Sequence, residues 1–109
     1  MQFKVLRSEP HRALVELEGP LNLGTVPQVR KKLLKVCKEK STRRVDIDCS
    51  RITSMDTAGI AMLVELLRAL AHNGGELRLL HLSAAIECVI HLARLEHLFG
   101  IKLPSSSGA

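Results

Sequence analysis

One hydroxyl group in the sequence lies where phosphate chemistry is favoured. Thr57 follows Asp56, a residue type whose carboxylate caps helix N-termini, at the start of an amphipathic stretch. The spacing predicts a helix that begins at Thr57 and carries the threonine hydroxyl in its first turn. The positive end of the helix dipole favours a negative charge there, including a phosphate on that hydroxyl. Ala58 and Gly59 keep the neighbouring surface low, so we expect Thr57 to be within reach of a partner.

Thr57 also has a purely structural interpretation. A hydroxyl at a helix start commonly forms a hydrogen bond with the local backbone. The residues alone leave both interpretations open.

A second candidate for chemistry is a pair of carboxylates. Asp46 and Asp48 alternate along a predicted strand, so both side chains are expected on the same side of the sheet. Paired carboxylates can carry out acid–base catalysis, and they can also orient the loop before Thr57. We favour two simpler roles, hydrogen bonding to nearby hydroxyls and plain surface charge.

The remaining reactive side chains do not form a recognisable enzyme or metal motif. The sequence contains no P-loop, GxGxxG or GxSxG pattern, which predicts a protein that is not an enzyme and needs no cofactor. His91 and His97 are six residues apart, a poor spacing for zinc on one helix, so no metal site is expected. The odd cysteine count, without a CxxC pair, predicts free thiols and a cytoplasmic location. These cysteines are Cys37, Cys49 and Cys88.

The composition is that of one small domain with an aliphatic core. The 109 residues include neither Trp nor Tyr and only two Phe, which argues against base stacking on nucleic acid. No signal peptide is evident, and the longest apolar run, residues 58–64, is too short to span a membrane.

The formal net charge is +5, and the basic excess is concentrated in Arg30, Lys31, Lys32, Lys35, Lys38, Lys40, Arg43 and Arg44. We favour the solvated face of a helix; a patch for an acidic partner, a membrane surface or nucleic acid is the alternative.

Hydrophobic periodicity divides the chain into strands and helices. Strands are predicted over residues 3–6, 13–17, 45–49 and 77–80, with a last edge strand over 100–103. Helices are predicted over residues 25–40, over 57–72, and from Ser83 or Ala84 onwards. The turn residues 8–11 make the first two strands an antiparallel hairpin, and Gly19-Pro20 ends the second strand. The prediction is an α/β fold with a mixed β-sheet of four to five strands, packed against three or more helices.

The helix ends have their own signals. Thr25 and Gln28 have the spacing of a capping box at the start of the first helix. Asn73, Gly74 and Gly75 supply a left-handed stop for the second helix.

The second helix is apolar on more than one side. Its predicted core stripe consists of Ile60, Leu63, Val64, Leu67 and Leu70. Met62 then falls roughly opposite this stripe and Leu66 near the edge of the stripe, and we expect both to contact a partner beside Thr57. The alternative is that they are merely tolerated on the surface or covered by a neighbouring helix.

Four stretches carry a family resemblance. The pattern hydrophobic-Asp-Ser/Thr-small-Gly-hydrophobic, after a strand and at the start of a helix, resembles that of the STAS domain (sulfate transporter and anti-sigma factor antagonist). The matching stretches are Met55-Asp56-Thr57-Ala58-Gly59-Ile60, Gly19-Pro20-Leu21-Asn22, Val45-Asp46-Ile47-Asp48 and Gly74-Gly75-Glu76-Leu77-Arg78-Leu79. Together they cover nearly the whole chain, and Asn22 replaces an Asp of the family pattern. The resemblance assigns residues 1–103 to a STAS domain of the stand-alone bacterial type and leaves 104–109 as a flexible tail.

The resemblance implies a non-enzymatic interaction module switched by phosphorylation. In STAS anti-sigma factor antagonists, the residue after the motif Asp is the Ser or Thr that a partner kinase phosphorylates, and Thr57 occupies that position. Asp56, Ala58 and Gly59 would support the switch loop. The implied partner is an anti-sigma factor that is a serine/threonine kinase of the GHKL type, in transcription regulation.

The family has other branches that the sequence leaves open. The stretch from Thr57 to Leu67 also looks like the soluble STAS subunit that docks on the ATPase of a phospholipid-transporting ABC complex. The cytoplasmic tail of a sulfate permease is a further branch, and a fragment of such a transporter would have the same sequence features. A nucleotide-binding module, with a phosphate on the helix N-terminus, is the competing class, although the P-loop lysine is missing.

Overall fold

The computed structural model describes residues 2–95, which form an open mixed β-sheet and three helices. The strands are β1 (Gln2–Glu9), β2 (Arg12–Leu21), β3 (Arg44–Met55) and β4 (Glu76–Leu80), and the helices are α1 (Val26–Lys38), α2 (Thr57–His72) and α3 (Ala84–Leu92). The sheet order is β1-β2-β3-β4. β1 and β2 form the expected antiparallel hairpin, whereas β2, β3 and β4 run parallel to one another. The predicted fold class is confirmed.

The strand register brings two loops together at one edge of the sheet. Leu21 at the end of β2 pairs with Met55 at the end of β3. Because these strands are parallel, the loop between β2 and α1 and the start of α2 leave the sheet side by side. This is the carboxyl edge of the parallel strands, where α/β sheets commonly place their functional loops.

The core lies on one face of the sheet. Alternate residues of the parallel strands point into it, among them Val15, Ile47 and Leu77, and the same cluster includes Ile86 and Ile90 of α3. The opposite face carries the charged residues that alternate with them. Such period-2 alternation is typical of a sheet that buries only one face.

Three strands are markedly longer than their sequence patterns predict. β1 extends over Gln2–Glu9 instead of residues 3–6. β3 continues for six residues beyond Cys49 to Met55, and β2 passes through Gly19-Pro20 to Leu21. The expectation that Gly19-Pro20 ends β2 is wrong. The pairing of β2 with β3 shifts in register between Gly19 and Pro20, and this irregularity accommodates the left-handed φ of Gly19 (107°). Pairing with the neighbouring strand outweighs the local preference of these residues for a turn.

The capping box expected at the start of α1 does not form. Thr25 is the N-cap residue, but its side chain makes no cap hydrogen bond. Its Oγ1 donates instead to the carbonyl of Pro20 at 2.7 Å. The hydroxyl therefore ties α1 to the end of β2 rather than to its own first turn. At the other helix end, the predicted stop after α2 is confirmed, with Asn73 as C-cap and Gly74 at a left-handed φ of 74°.

α2 is rotated relative to the orientation predicted from its apolar stripe. Met62 and Leu66, expected on the outer side, are 2% and 0% exposed. Val64 and Leu67, expected in the core, are only partly buried. The physical reason is that α2 packs against α1 as well as against β3 and β4, so its buried arc is wide and includes Met62 and Leu66.

The predicted edge strand over 100–103 and the tail over 104–109 lie outside the described residues.

Candidate functional site

The start of α2 is built around the carboxylate of Asp56. Its Oδ1 accepts the backbone N–H of Ala58 at 2.9 Å and that of Gly59 at 3.2 Å, so the predicted N-cap is confirmed. These are two of the N–H groups that a helix start leaves without a partner inside the helix. Asp56 thereby fixes both the direction of α2 and the position of the residue that follows it.

Asp56 also joins α2 to the loop that follows β2. Its second oxygen, Oδ2, accepts the backbone N–H of Leu23 at 3.2 Å. Its own backbone N–H donates to the carbonyl of Leu21 at 3.1 Å. One residue therefore connects the two loops that the strand register brings to the same edge.

The loop between β2 and α1 is held in shape by its own side chains. Asn22 Oδ1 accepts the backbone N–H groups of Gly24 at 2.9 Å and Thr25 at 3.1 Å, which is the local hydrogen bonding that Asn favours in turns. The backbone N–H of Asn22 donates to Thr25 Oγ1 at 2.9 Å. This network presents Leu23 at the loop tip with 77% of its surface exposed.

Thr57 occupies the first position of α2 and is exposed. Within residues 2–95, no group forms a hydrogen bond with its hydroxyl, so the local backbone bond considered above is not observed. A group attached to that oxygen would extend into solvent without displacing any side chain of the core. The geometry thus leaves the Thr57 hydroxyl accessible to a modifying enzyme or to a partner surface.

Gly59 is required for close packing inside the protein and does not lie on the surface that a partner would contact. It is buried, and a Cβ added there would lie 2.8 Å from the carbonyl oxygen of Leu21 and 2.9 Å from Cγ of Met55. The close approach that Gly59 permits is therefore that of β2 to the first turn of α2. The expectation that it lowers the surface around Thr57 is wrong, while Ala58, which is partly buried, remains beside that surface.

The exposed line of α2 differs from the one expected. Met62 and Leu66 are buried and are not available to a partner. Residues at positions i+4 and i+7 from Thr57 lie on the same side of the helix; these are Ala61, which is exposed, and Val64, which is partly buried. Sequence analysis also missed Leu23, although a leucine between Asn22 and Gly24, inside a turn, is a detectable signal of an apolar residue held at the surface.

The paired carboxylates lie away from this site. Asp46 and Asp48 share the open face of the sheet, as expected, and Asp46 Oδ1 accepts from Nε of Arg44 at 3.0 Å. Asp48 Oδ1 accepts the backbone N–H of Ser50 at 2.9 Å. Burial alone would raise the pKa of Asp48, but the hydrogen bonds with Ser50, together with the charges of His81 and Arg51, outweigh it and hold that pKa below its ordinary value. Both carboxylates are thus engaged as charged hydrogen-bond acceptors.

The described residues form no metal-ligating cluster at the start of α2. A cavity of about 210 Å³ lies on the open sheet face against Lys4, Glu16 and Arg51, away from Asp56 and Thr57. Across the part of the chain that the structure describes, no three His, Cys, Asp or Glu side chains come together in a way that would hold a metal ion. None of the described helices is both long and apolar enough to cross a bilayer.

Comparison with known proteins places this geometry in a family. The family profile of the STAS domain matches residues 4–107. The chain is 28% identical over 87 residues to an anti-sigma-B factor antagonist of Staphylococcus aureus, a match that covers 80% of each protein.

Solved structures share the fold. The phosphorylated form of the Bacillus cell fate determinant SpoIIAA matches with a TM-score of 0.72 at 19% identity, covering 97% of this chain and 96% of that one. An anti-sigma factor antagonist from Mycobacterium paratuberculosis matches with a TM-score of 0.77 at 20% identity, covering 92% and 85%. The family profile spans nearly the whole chain, including the motif from Met55 to Ile60, and the protein therefore belongs to the STAS domain family.

Proposed function

We propose that this protein is a non-enzymatic regulatory module that acts as an anti-sigma factor antagonist and is switched by phosphorylation of Thr57. The observation that carries the proposal is the exposed hydroxyl of Thr57 in the first turn of α2, next to a loop whose tip presents Leu23. The similarity to the anti-sigma-B factor antagonist of Staphylococcus aureus supports the regulatory class.

The switch acts through charge. A phosphate on Thr57 would add about −1.5 to −2 charges at neutral pH. Both oxygens of the Asp56 carboxylate already accept backbone N–H groups, so the phosphate is an additional charge at the surface and not a replacement for the cap. The positive end of the α2 dipole accommodates that charge within the domain. A partner surface that is apolar or acidic at this point would not accommodate it, and the complex would dissociate without unfolding of the protein.

The docking surface consists of Leu23, Thr57, Ala61 and Val64. Leu23 provides the exposed apolar contact, and the other three residues lie along one side of α2. Protein interfaces commonly derive most of their affinity from a few anchor residues surrounded by weaker contacts. Leu23 is the anchor in this proposal, and Thr57 is the position at which added charge prevents docking.

The partner that fits this mechanism is an anti-sigma factor with serine/threonine kinase activity of the GHKL type. Such a partner binds the unmodified protein and transfers the γ-phosphate of ATP to the Thr57 hydroxyl, with ADP as the leaving group. An ABC transporter ATPase subunit is the alternative partner, and nucleotide binding by the protein itself is the alternative function. The experiment below separates these three cases.

The test begins with capture of partners from native lysate on immobilised protein, followed by mass spectrometry. Parent protein, Thr57→Ala and Thr57→Glu serve as baits, together with Leu92→Ser as a control at a leucine of similar exposure away from the site. The proposal expects a GHKL-type kinase on parent, Thr57→Ala and Leu92→Ser, and its loss from Thr57→Glu. The purified kinase with ATP should then place phosphate on Thr57 of the parent protein and none on Thr57→Ala.

Three results would contradict the proposal. The first is equal affinity of the partner for the phosphorylated and the unmodified protein. This comparison is a stronger test than Thr57→Glu, because Glu imitates phosphate imperfectly. The second is a captured ABC ATPase in place of a kinase. The third is a saturable rise in melting temperature with ATP or GTP alone, which would assign the site to a nucleotide.

A further inference from the structure

The outer side of α1 is a continuous basic face. Between Val26 and Lys38 the helix contains no acidic residue. Lys31, Lys35 and Lys38 follow one another at spacings of four and three residues, so they lie in one line along the helix, and all three are exposed. The line extends over about 10 Å, at a rise of about 1.5 Å per residue.

The other cations of α1 point elsewhere or are already engaged. Nε and the terminal nitrogen of Arg30 donate to the two carboxylate oxygens of Glu65 on α2, at 2.8 and 2.5 Å. This ion pair holds the pKa of Glu65 below its ordinary value. Lys32 lies with its Nζ 5.9 Å from the ring centroid of Phe3, over β1.

The lysine line itself has no acidic partner within the protein. Among residues 2–95, no carboxylate lies within ion-pair distance of Lys31, Lys35 or Lys38. Glu65 senses the charge of Lys38 but is held by Arg30, and the exposed Glu39 directly follows Lys38 without forming an ion pair with it. Three adjacent ammonium groups therefore repel one another in the free protein, and an external anionic surface would relieve that repulsion.

We propose that the basic face of α1, formed by Lys31, Lys35 and Lys38, docks the protein electrostatically on an anionic lipid surface. The ligand chemistry is a layer of phosphate headgroups, and no apolar residue of α1 enters the bilayer. The inference does not rest on the function proposed for Thr57, because it uses a different element and different residues.

The composition of this face favours a lipid surface over a specific protein. Specific protein interfaces are centred on apolar, aromatic or Arg anchors and are depleted in Lys. The line of Lys31, Lys35 and Lys38 continues at its N-terminal end only into the exposed Pro27 and Gln28, and it contains no aromatic or Arg anchor. Lysine ammonium groups are point charges that suit a diffuse layer of anions better than a shaped recognition site.

The same composition disfavours nucleic acid. Bidentate phosphate contacts are made by Arg, and base edges are read most often by Arg, Lys, Asn and Gln. Arg30, the one arginine of α1, is occupied by Glu65. Single-stranded nucleic acid further requires stacking side chains, and Phe3 is partly buried beneath Lys32.

The proposal is tested by co-sedimentation of the full chain with vesicles of two compositions. One contains phosphatidylcholine only, and the other contains about one third phosphatidylglycerol, a lipid with one negative charge. The protein should bind the anionic vesicles and not the neutral ones at about 50 mM salt, and should dissociate at about 500 mM salt. The triple variant Lys31→Gln, Lys35→Gln, Lys38→Gln should lower the partition coefficient about a hundredfold, since each lysine contributes about fivefold near an anionic surface.

A matched control removes the same charge from another surface. Lys4, Arg12 and Arg78 are exposed on β1, β2 and β4. Their triple replacement by Gln leaves the net charge equal to that of the α1 variant and should leave vesicle binding within about twofold of the parent. Circular dichroism of both triple variants verifies that each remains folded.

Three outcomes would overturn the proposal. They are no binding to anionic vesicles at low salt, equal losses in the two triple variants, and tighter binding of a duplex oligonucleotide by the same three lysines. The last result would assign the face to nucleic acid. The variant Thr57→Glu should still bind vesicles, so failure of the phosphorylation switch and failure of this inference give different results.

Discussion

Oδ2 of Asp56 lies 3.2 Å from the backbone nitrogen of Leu23, across 33 residues of sequence. The same carboxylate caps α2 through Oδ1. A single side chain therefore determines where α2 begins and how the exposed Leu23 is presented beside it. The accessible hydroxyl of Thr57 depends on this arrangement, because Thr57 is the next residue in the chain.

Removal of the Asp56 carboxylate should destabilise the protein. We expect Asp56→Ala to lower the free energy of unfolding by about 1–2 kcal/mol, since it removes a helix cap and leaves the N–H of Leu23 without its acceptor. Urea denaturation monitored by circular dichroism measures the change. Asp56→Asn retains an acceptor oxygen and should cost less. Equal stability of Asp56→Ala and the parent would mean that the cap contributes nothing in solution.

For the variant Gly59→Ala, packing and helix propensity predict changes of opposite sign in the free energy of unfolding. Propensity alone predicts that Gly59→Ala stabilises α2 by about 1 kcal/mol. We expect it instead to destabilise by about 1–3 kcal/mol, because the new Cβ would lie 2.8 Å from the carbonyl oxygen of Leu21.

The control for Gly59→Ala is Ala61→Gly, at an exposed position of the same helix. That change should cost about 1 kcal/mol, as propensity alone predicts. Urea denaturation of both variants gives the comparison, and a stabilising effect of Gly59→Ala would show that β2 moves away at little cost.

Leu23 should contribute to binding and not to stability. We expect Leu23→Ser to leave the free energy of unfolding within about 0.5 kcal/mol of the parent, since 77% of this side chain is exposed. Its affinity for the captured partner should fall at least about tenfold, as for an apolar anchor of an interface. Isothermal titration calorimetry measures this loss. Leu92→Ser is the control, and equal affinities of Leu23→Ser and Leu92→Ser would remove Leu23 from the docking surface.

Two buried thiols should make the protein less stable at alkaline pH. Burial raises the pKa of Cys37 from 9.0 to about 12, and burial together with the charge of Asp48 raises that of Cys49 to about 12. Well below pH 9 both states keep their thiol protons, and this part of the stability is fully present. Between about pH 9 and 12 the unfolded chain ionises first, so the free energy of unfolding falls by up to about 1.4 kcal/mol per pH unit for each thiol.

Denaturation at a series of pH values from 8 to about 10.5 measures this slope. The double variant Cys37→Ala, Cys49→Ala is less stable at every pH, because it leaves cavities, but its slope should be shallower than that of the parent. The sequence contains no tyrosine, so no phenol contributes to the difference. Parallel slopes for the two proteins would show that the thiols do not ionise differently in the two states.

The local sequence was sufficient to predict the start of the candidate site. Asp56 is a strong N-cap residue and α2 begins at Thr57, as the pattern indicates, because a cap depends on residues that are adjacent in the chain. The glycine stop after α2 and the β1–β2 hairpin were predicted for the same reason. The order of strands and helices was likewise sufficient to predict the α/β class.

Tertiary structure alone decided which sides of the elements are exposed. α2 is apolar around most of its circumference, so its sequence does not determine its rotation, and contact with α1 buries Met62 and Leu66. Gly59 is required because Leu21, which is 38 positions earlier, lies against it. The pairing of Leu21 with Met55 and the hydrogen bond from Leu23 to Asp56 bring distant loops together, and such long-range contacts form only when the sheet assembles.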